Sequence, residues 1–415
     1  MRRIYTFLSL ASITASLSAQ SPAWWAENGQ TLSNLHNINF AGDNSTGWFF
    51  GDSVSGPVFR KGIIKKTTNQ GLTWNVQNMG SDSIQILSSY VFSTSALIAV
   101  GKFQTTGSGA SIMTNNGGAT WVRDTVSFAE RLFDVDFATS SIGWVSGRNG
   151  YVARTNNAGS SWAPQVTSTG EDLLSIDFAD QNHGWAVGSD PGTGGTIIHT
   201  SNGGTTWNLQ TNTLAGDLFS LFAFNPARAI AVGQGGIIIM TNDSGNTWIP
   251  KISGTVNDLL DVSFASAANG WAVGAGGTIV YTTDSGNTWL PQVSSTVNNI
   301  NSVHMKNNSL GWYCGDNGAV YFYGTSPVGM AHSEANIKPG IFPNPCTGHF
   351  TLAAQDWELP GATVEILDSS GRIIYSQAIG ESHTEIDLSF CSNGLYLVRI
   401  KERSTVVSTG KLIIH

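Results

Sequence analysis

Apolar and polar positions alternate in short bursts along most of this chain. Inner segments such as Leu259 to Ala265 place Val262 and Phe264 on one face and Asp261 and Ser263 on the other. A period of two predicts strands with one buried face. Val135 with Phe137, Ile176 with Phe178, and Val303 with Met305 repeat the pattern. A second type of segment is almost wholly apolar and built around glycine and tryptophan. It reads Gly47-Trp48, Ile98-Ala-Val-Gly101, Gly143-Trp144, Gly184-Trp-Ala-Val-Gly188, Ile230-Ala-Val-Gly233, Gly270-Trp-Ala-Val-Gly274 and Gly311-Trp312. Long amphipathic helical runs are absent from the pattern, so it predicts an all-β chain.

An octapeptide punctuates these strands. It runs Thr67-Thr-Asn-Gln-Gly-Leu-Thr-Trp74 and returns ending at Trp121, Trp162, Trp207, Trp248 and Trp289, with spacings of 47, 41, 45, 41 and 41 residues. Its Asn or Asp can close an Asx-turn, its invariant fifth-position glycine suits a positive φ, and its tryptophan can bury a large face. This describes a hairpin loop and no reactive group. A period of 40–50 residues with short strands predicts propeller blades. Each unit parses as an inner strand, the Gly-Trp strand, a third strand such as Thr278 to Thr282, and a tryptophan-bearing fourth strand.

Seven Gly-Trp-type strands stand against six boxes, and the last unit stops near Gly324. Trp25 precedes Trp48 by 23 residues, the same offset as Trp248 to Trp271. The Trp24-Trp25 segment is therefore expected to supply the missing strand, pairing with Val320 to Tyr323. Closing the ring removes exposed sheet edges.

Composition narrows the class. The 415 residues include 48 glycines and 14 tryptophans, with a net charge of −8. The densest basic patch is Arg60, Lys61, Lys65 and Lys66, which makes no stripe of the kind nucleic acid requires. Arg2 and Arg3 precede an apolar run from Ile4 to Leu17. That pattern predicts a signal peptide over 1–19, cleaved near Ala19 and too short to span a membrane. Cys314, Cys346 and Cys391 leave an odd thiol; Cys346 with Cys391 is the favoured pair if one forms.

Past a linker at 325–340 the pattern changes. Gly348 to Leu352, the hairpin Val364 to Ile374 around Ser369-Ser370-Gly371, Ile386 to Leu388, Gly394 to Ile400 and Lys411 to Ile414 predict a β-sandwich over 341–415.

Two resemblances follow from these residues. The boxes resemble the Asp-box (BNR) repeats of sialidases. Combined with Gly-Trp-Ala-Val-Gly, they are most similar to the propeller family of the photosystem II stability and assembly factor. The C-terminal segment resembles the type IX secretion sorting domain of Bacteroidota through Pro343-Asn-Pro345, Asp368-Ser-Ser-Gly-Arg372, Gly394-Leu-Tyr396 and Lys411-Leu-Ile413. The second resemblance implies handling by the type IX machinery, sortase-like processing, and release or surface attachment.

Candidate sites come from the predicted fold. The face shared by the fourth-to-first and second-to-third strand loops is expected to present Arg60, Arg131, Arg148, Asp172, Asp190, Asp217 and Asp258, with Gln234 and Asp316. The central channel is expected to be lined by Asp134, Asp136, Asp177, Asp261 and His304, with Asn37, Asn39, Ser263 and Ser302. Catalytic, metal and cofactor motifs are not found. The expectation is a secreted or surface propeller that binds a protein or glycan without catalysis. The alternative is a glycoside hydrolase, sialidase-like or acting on a β-glucan, which would draw on the paired carboxylates and arginines of that face.

Overall fold

The computed structural model describes residues 23–27, 33–52, 62–78, 84–123, 130–190, 194–211, 216–324, 340–353, 362–368, 372–379, 383–402 and 405–415. The expected signal peptide, Arg60, the Ser369-Gly371 turn and most of the expected linker lie outside these residues. The chain divides into two compact units, 1–327 and 328–415.

The first unit is a propeller of seven four-stranded antiparallel sheets. Blades one to six span residues 34–76, 84–123, 132–165, 173–210, 218–251 and 259–291. Blade seven joins both ends of the ring: Ile300–Asn307, Leu310–Gly315 and Val320–Gly324 pair in order, and Ala23–Glu27 completes the sheet. Trp25 faces Phe322 in this register, as the tryptophan spacing predicts. Strand alternation then splits the two tryptophans. Trp24 packs with Trp271, Val273 and Ile279 of blade six and with Tyr313 and Tyr323. Trp25 packs against the cluster that holds Leu35, Ile38 and Phe49 of blade one. Gln292 accepts from the indole N–H of both Trp24 (3.0 Å) and Trp271 (2.9 Å), tying the closing strand to blade six.

The Gly-Trp pair explains itself by packing between blades. Phe178 of blade four stacks on Trp144 of blade three at 3.5 Å, and Phe40 of blade one stacks on Trp312 of blade seven at 3.5 Å. The other side of each ring rests on the glycine of its own blade. A Cβ on Gly47 would sit 2.6 Å from the Phe40 ring, so only glycine fits.

Each octapeptide forms the turn between third and fourth strands. Asn69 Oδ1 accepts from the Thr73 N–H at 3.0 Å, and the Thr67 hydroxyl accepts from the Gly71 N–H at 2.9 Å. The same bonds recur around Asn116, Asn157, Asn202, Asp243 and Asp284. The fourth-position carbonyl of the turn is a socket for the preceding blade. Trp312 reaches Gln70 O, Lys66 reaches Gly117 O, Trp144 and Gln165 reach Gly203 O, Gln210 reaches Ser244 O, and Arg228 reaches Ser285 O. The boxes are thus inter-blade clamps.

One expectation needs correction. The box tryptophans do not lie within the fourth strands. Those strands begin after them, as Asn75–Val76 or Ile249–Lys251, because the indole turns inward beneath the turn while the outermost backbone pairs only briefly. Such short edges, carrying Pro164, Pro250 and Pro291, resist edge-to-edge association.

The second unit is a two-sheet β-sandwich. One sheet orders Gly340–Phe342, His349–Ala353 and His383–Asp387; the other orders Ile373–Ile379, Ala362–Leu367, Gly394–Glu402 and Thr405–Ile414. Phe350, Leu352 and Ile386 of the first sheet share a core with Val364, Ile366, Val398 and Ile400 of the second. Cys314, Cys346 and Cys391 are free thiols, so the favoured Cys346–Cys391 pair is not formed.

The channel and the loop-bearing face

The predicted channel residues do face a central space of about 530 Å³. Their hydrogen bonds show what they do there. Asp134 Oδ2 accepts from the Ile176 N–H at 2.9 Å and the Ser175 hydroxyl at 2.9 Å, both of the next blade. Its Oδ1 accepts from the Ser88 hydroxyl of the preceding blade at 2.6 Å. Asp261 accepts from Val303 N–H at 2.8 Å and from the Ser220 hydroxyl at 2.9 Å. Ser302 carries this tier across the closure to Ile38 N–H at 3.4 Å. A second tier lies two residues further along: Asp136 accepts from Phe178 N–H at 2.9 Å, Asp177 from Ala223 N–H at 2.8 Å, and Ser263 from Met305 N–H at 3.1 Å. Asn39 reaches the Ser89 carbonyl at 2.7 Å, and Asn37 accepts from the Ser89 hydroxyl at 2.6 Å. The inner strands of neighbouring blades are too splayed to pair through their backbones alone, and these side chains supply the missing acceptors.

Seven strands enclose the channel, so its carboxylates are poorly solvated although their surfaces remain partly open to the lumen. Burial pushes Asp136 up to about 6, with the Asp134 charge adding to it. Burial pushes Asp261 up to about 6, and raises Asp134 against four hydrogen bonds that favour its charge. Asp177 is raised well above the ordinary range by burial and by the charge of Asp136, to which it is hydrogen-bonded. That bond needs a proton between the two carboxyl groups. Burial lowers His304 to about 4, and Lys306 adds to the effect, so its imidazole is neutral at pH 7. Among the described residues, no group of three or more His, Cys, Asp or Glu side chains is arranged to hold a metal ion.

A stability prediction follows. A carboxyl whose folded pKa is raised binds its proton more tightly folded than unfolded. Its stabilising contribution is present below about pH 4 and is lost as pH rises through about 6. His304 and His199, both lowered to about 4 chiefly by burial, oppose this by losing stability as pH falls from about 6.5. Asp177→Asn keeps an acceptor for Ala223 and gives Asp136 a permanent donor. The variant should melt roughly 2–6 °C higher than the parent near pH 7.5, with a smaller gain near pH 5. Thermal melts at both values check this; a lower melting temperature at both would contradict it.

On the loop-bearing face, the acids are largely engaged. Asp172 Oδ1 accepts from the Asn149 N–H of blade three at 2.9 Å, and Asp258 Oδ1 accepts from the Gly235 N–H of blade five at 2.8 Å. Asn299 does the same for Gly276 of blade six at 3.0 Å. Each caps a turn whose central residue has positive φ: Asn149 at 56°, Gly235 at 64° and Gly276 at 62°. Asp217 is bound to Gln234 through its backbone, at 2.9 Å and 3.3 Å. Asp316 accepts from Asn299 and Asn301. Asp190 is half-buried at the end of blade four's second strand and has a partner.

Arg131 breaks this series. It holds the position that Asn34, Asp172, Asp217, Asp258 and Asn299 hold in other blades, yet carries a cation. Its guanidinium lies over the Phe133 ring at 4.9 Å, and its buried Nε has no hydrogen-bond partner among the described residues. Burial lowers its pKa, while the charges of Asp172 and Asp52 oppose that. Arg148 is exposed one turn away on the same blade, so Arg131, Arg148 and Asp172 come together. Asp217 and Asp258 stand before the inner strands of blades five and six.

The propeller matches known folds. A family model described as photosynthesis system II assembly factor YCF48 covers residues 113–257 and 249–324, just over half of the chain. The chain belongs to the YCF48 family. A solved structure described as YCF48 bound to D1 peptide shares 17% identity at a TM-score of 0.59, covering 74% of this chain and 96% of that one. YCF48 from Cyanidioschyzon merolae gives 17% identity and 0.59, covering 74% of this chain and 100% of that one. At that identity the likeness carries the fold alone. No curated protein matches the chain. Residues 340–415 match the secretion system C-terminal sorting domain, which directs this YCF48-family propeller through type IX secretion to the cell surface or beyond.

The sequence reading missed one polar cluster on the same face. Asp52, 1% exposed, bonds His36 Nε2 at 2.9 Å and accepts from Gln85 Nε2 at 2.7 Å. No motif marks it, because its members come from separate strands of two blades.

Proposed function

We propose that this exported propeller is non-catalytic and holds a protein ligand on its loop-bearing face. The carrying observation is a rim of isolated aliphatic side chains on the loops between outer and inner strands. Val166, Ile252, Val256, Val293 and Val297 are each between 81% and 88% exposed. Exposed apolar groups set side by side around one face suit a protein partner that spans several loops. The non-catalytic part rests on the engagement of the acids: those in the channel join blades and Asp172 and Asp258 cap turns, which leaves them poorly placed for acid–base chemistry. A related propeller described as carrying a D1 peptide accords with a protein segment as the ligand class.

Immobilised mature protein is expected to retain a protein from the cell-surface fraction, and Ile252→Asp with Val293→Asp to release it. Binding confined to a glycan array would replace protein with glycan. Turnover of a sialoside or β-glucan, lost in Asp172→Asn or Arg131→Ala, would overturn the reading in favour of a hydrolase.

A further inference from the structure

The residue just before each box follows a rule. It pairs across the sheet with the Gly-Trp-type strand of its own blade. Where that strand offers isoleucine, the residue is methionine: Met113 lies opposite Ile98, and Met240 opposite Ile230. Where it offers tryptophan, the residue carries a cation or a ring: Lys66 opposite Trp48, Arg154 opposite Trp144, His199 opposite Trp185 and Tyr281 opposite Trp271. The two cations lie over their indoles, with Lys66 Nζ 5.1 Å and Arg154 Cζ 5.4 Å from the ring centroids.

Beyond that contact they part. Lys66 donates to Gly117 O at 2.9 Å and so clamps blade two to blade one. The equivalent carbonyl for Arg154 is Gly203 O, and it is already filled. It accepts from Trp144 Nε1 at 3.2 Å and from Gln165 Nε2 at 3.0 Å. Blade three is therefore clamped to blade four without its arginine. Arg154 makes no hydrogen bond or ion pair among the described residues, and its Nε is buried without a partner. A guanidinium has five N–H donors, so this is a strong recognition group left unemployed by the fold.

Arg154 lines a groove of about 420 Å³ between the outer edge of blade three and the box of blade four. That volume lies in the range of small-ligand sites. Room exists because Ala163 is small, where blades five and six hold Ile249 and Leu290. The walls carry the hydroxyls of Ser161 and Thr205, the amides of Asn156 and Gln165, and the Trp162 ring. None of the lining residues is acidic, so the positive charge is not neutralised inside the groove. A peptide cannot extend the sheet along this edge, because Pro164 sits in the middle of the outer strand and removes the donor a ladder needs. One cation among hydroxyls, amides and an indole suits a ring that bears several hydroxyls and one negative charge.

We propose that this groove binds an acidic sugar residue of a glycan, with its carboxylate or sulfate ester on Arg154 and its hydroxyls on the polar walls. The site is separate from the loop-bearing face, and it gives the propeller a second ligand class beside the protein partner proposed there.

The test titrates the full mature chain by calorimetry, near neutral pH, with galacturonate, sulfated galactose and neutral galactose disaccharides. Saturable binding of an acidic disaccharide is expected, about tenfold tighter than the neutral one. The tighter acidic disaccharide identifies the anion. Arg154→Met should erase the gap between acidic and neutral sugar, and Ala163→Leu should block binding by filling the groove. Other blades carry these same residues at these places, as Met113 and Leu290, so both variants are expected to fold. Arg154→Gln takes the place of Arg154→Met if thermal melts show that the latter does not fold. No saturable binding, equal affinity for acidic and neutral sugars, or unchanged binding in either folded variant would overturn the proposal. Inorganic sulfate bound as tightly as the sugars would reduce the groove to a bare anion site and overturn it as well. Ile252→Asp with Val293→Asp should leave sugar binding intact; its loss there would place the sugar on the loop-bearing face instead. Loss of the retained surface protein in Ile252→Asp with Val293→Asp, with sugar binding preserved, would support both sites as separate.

Discussion

Trp24→Ala is expected to lower the melting temperature of the propeller by roughly 5–15 °C and broaden its transition. Trp24 is 6% exposed; its ring centroid lies 4.7 Å from Tyr313 and 4.9 Å from Tyr323 of its own blade, and it packs with Trp271, Val273 and Ile279 of blade six. Its indole N–H shares the Gln292 acceptor with Trp271. Truncation leaves a cavity at the seam and removes the indole donor that joins the closing strand to Gln292 of blade six. A large aromatic lost from a packed core costs about 3–5 kcal/mol. The effect should exceed that of a comparable core truncation inside one blade, because the seam is held by a strand of only five residues. Loosening it also bares the Val320–Gly324 edge, so aggregation on heating should rise. Calorimetry with light scattering checks both; a melting curve superimposable on the parent's would show that the seam does not limit stability.

Deleting residues 340–415 is expected to have the largest cellular effect. The sorting domain has its own core and divides from the propeller at 327–328, so its loss leaves the ring's packing intact. The shortened chain should fold in the periplasm and stay there, with the surface and medium fractions falling to background. Val398→Asp, which places a carboxylate in the fully buried sandwich core, should give the same retention by unfolding the domain. Undiminished export of the deletion variant would disprove the role of the tail.

The ring was legible because repetition writes it into the sequence several times over. Tryptophan spacing placed the closing strand opposite Val320 to Tyr323, and alternation placed Asp134, Asp136, Asp177, Asp261 and His304 at the lumen. Their employment was not legible. Whether an aspartate binds a ligand or the next blade's N–H depends on how far neighbouring strands splay, a distance absent from any one repeat. Asp172 and Asp258 show the same limit, since the turns they cap lie 23 residues upstream. The inner strands also carry β-bulges, between Leu132 and Asp134, Leu173 and Ser175, Leu218 and Ser220, and Leu259 and Asp261, and these did leave a trace. Leu132-Phe133, Leu173-Leu174, Leu218-Phe219 and Leu259-Leu260 are doubled apolar pairs at strand starts, which break the period of two by one residue. The exceptional Arg131 was visible as a residue, but its meaning needed the series of Asn and Asp it interrupts.

The central claim is that the propeller's two ends meet in one sheet and close a single cooperative ring. Native-state hydrogen exchange of the mature protein tests it most directly. The backbone amides of Ala23–Glu27 that pair with Val320–Gly324 should exchange as slowly as the inner strands, and only through global unfolding. Rapid exchange of that segment, with the other blades still protected, would contradict the closed ring.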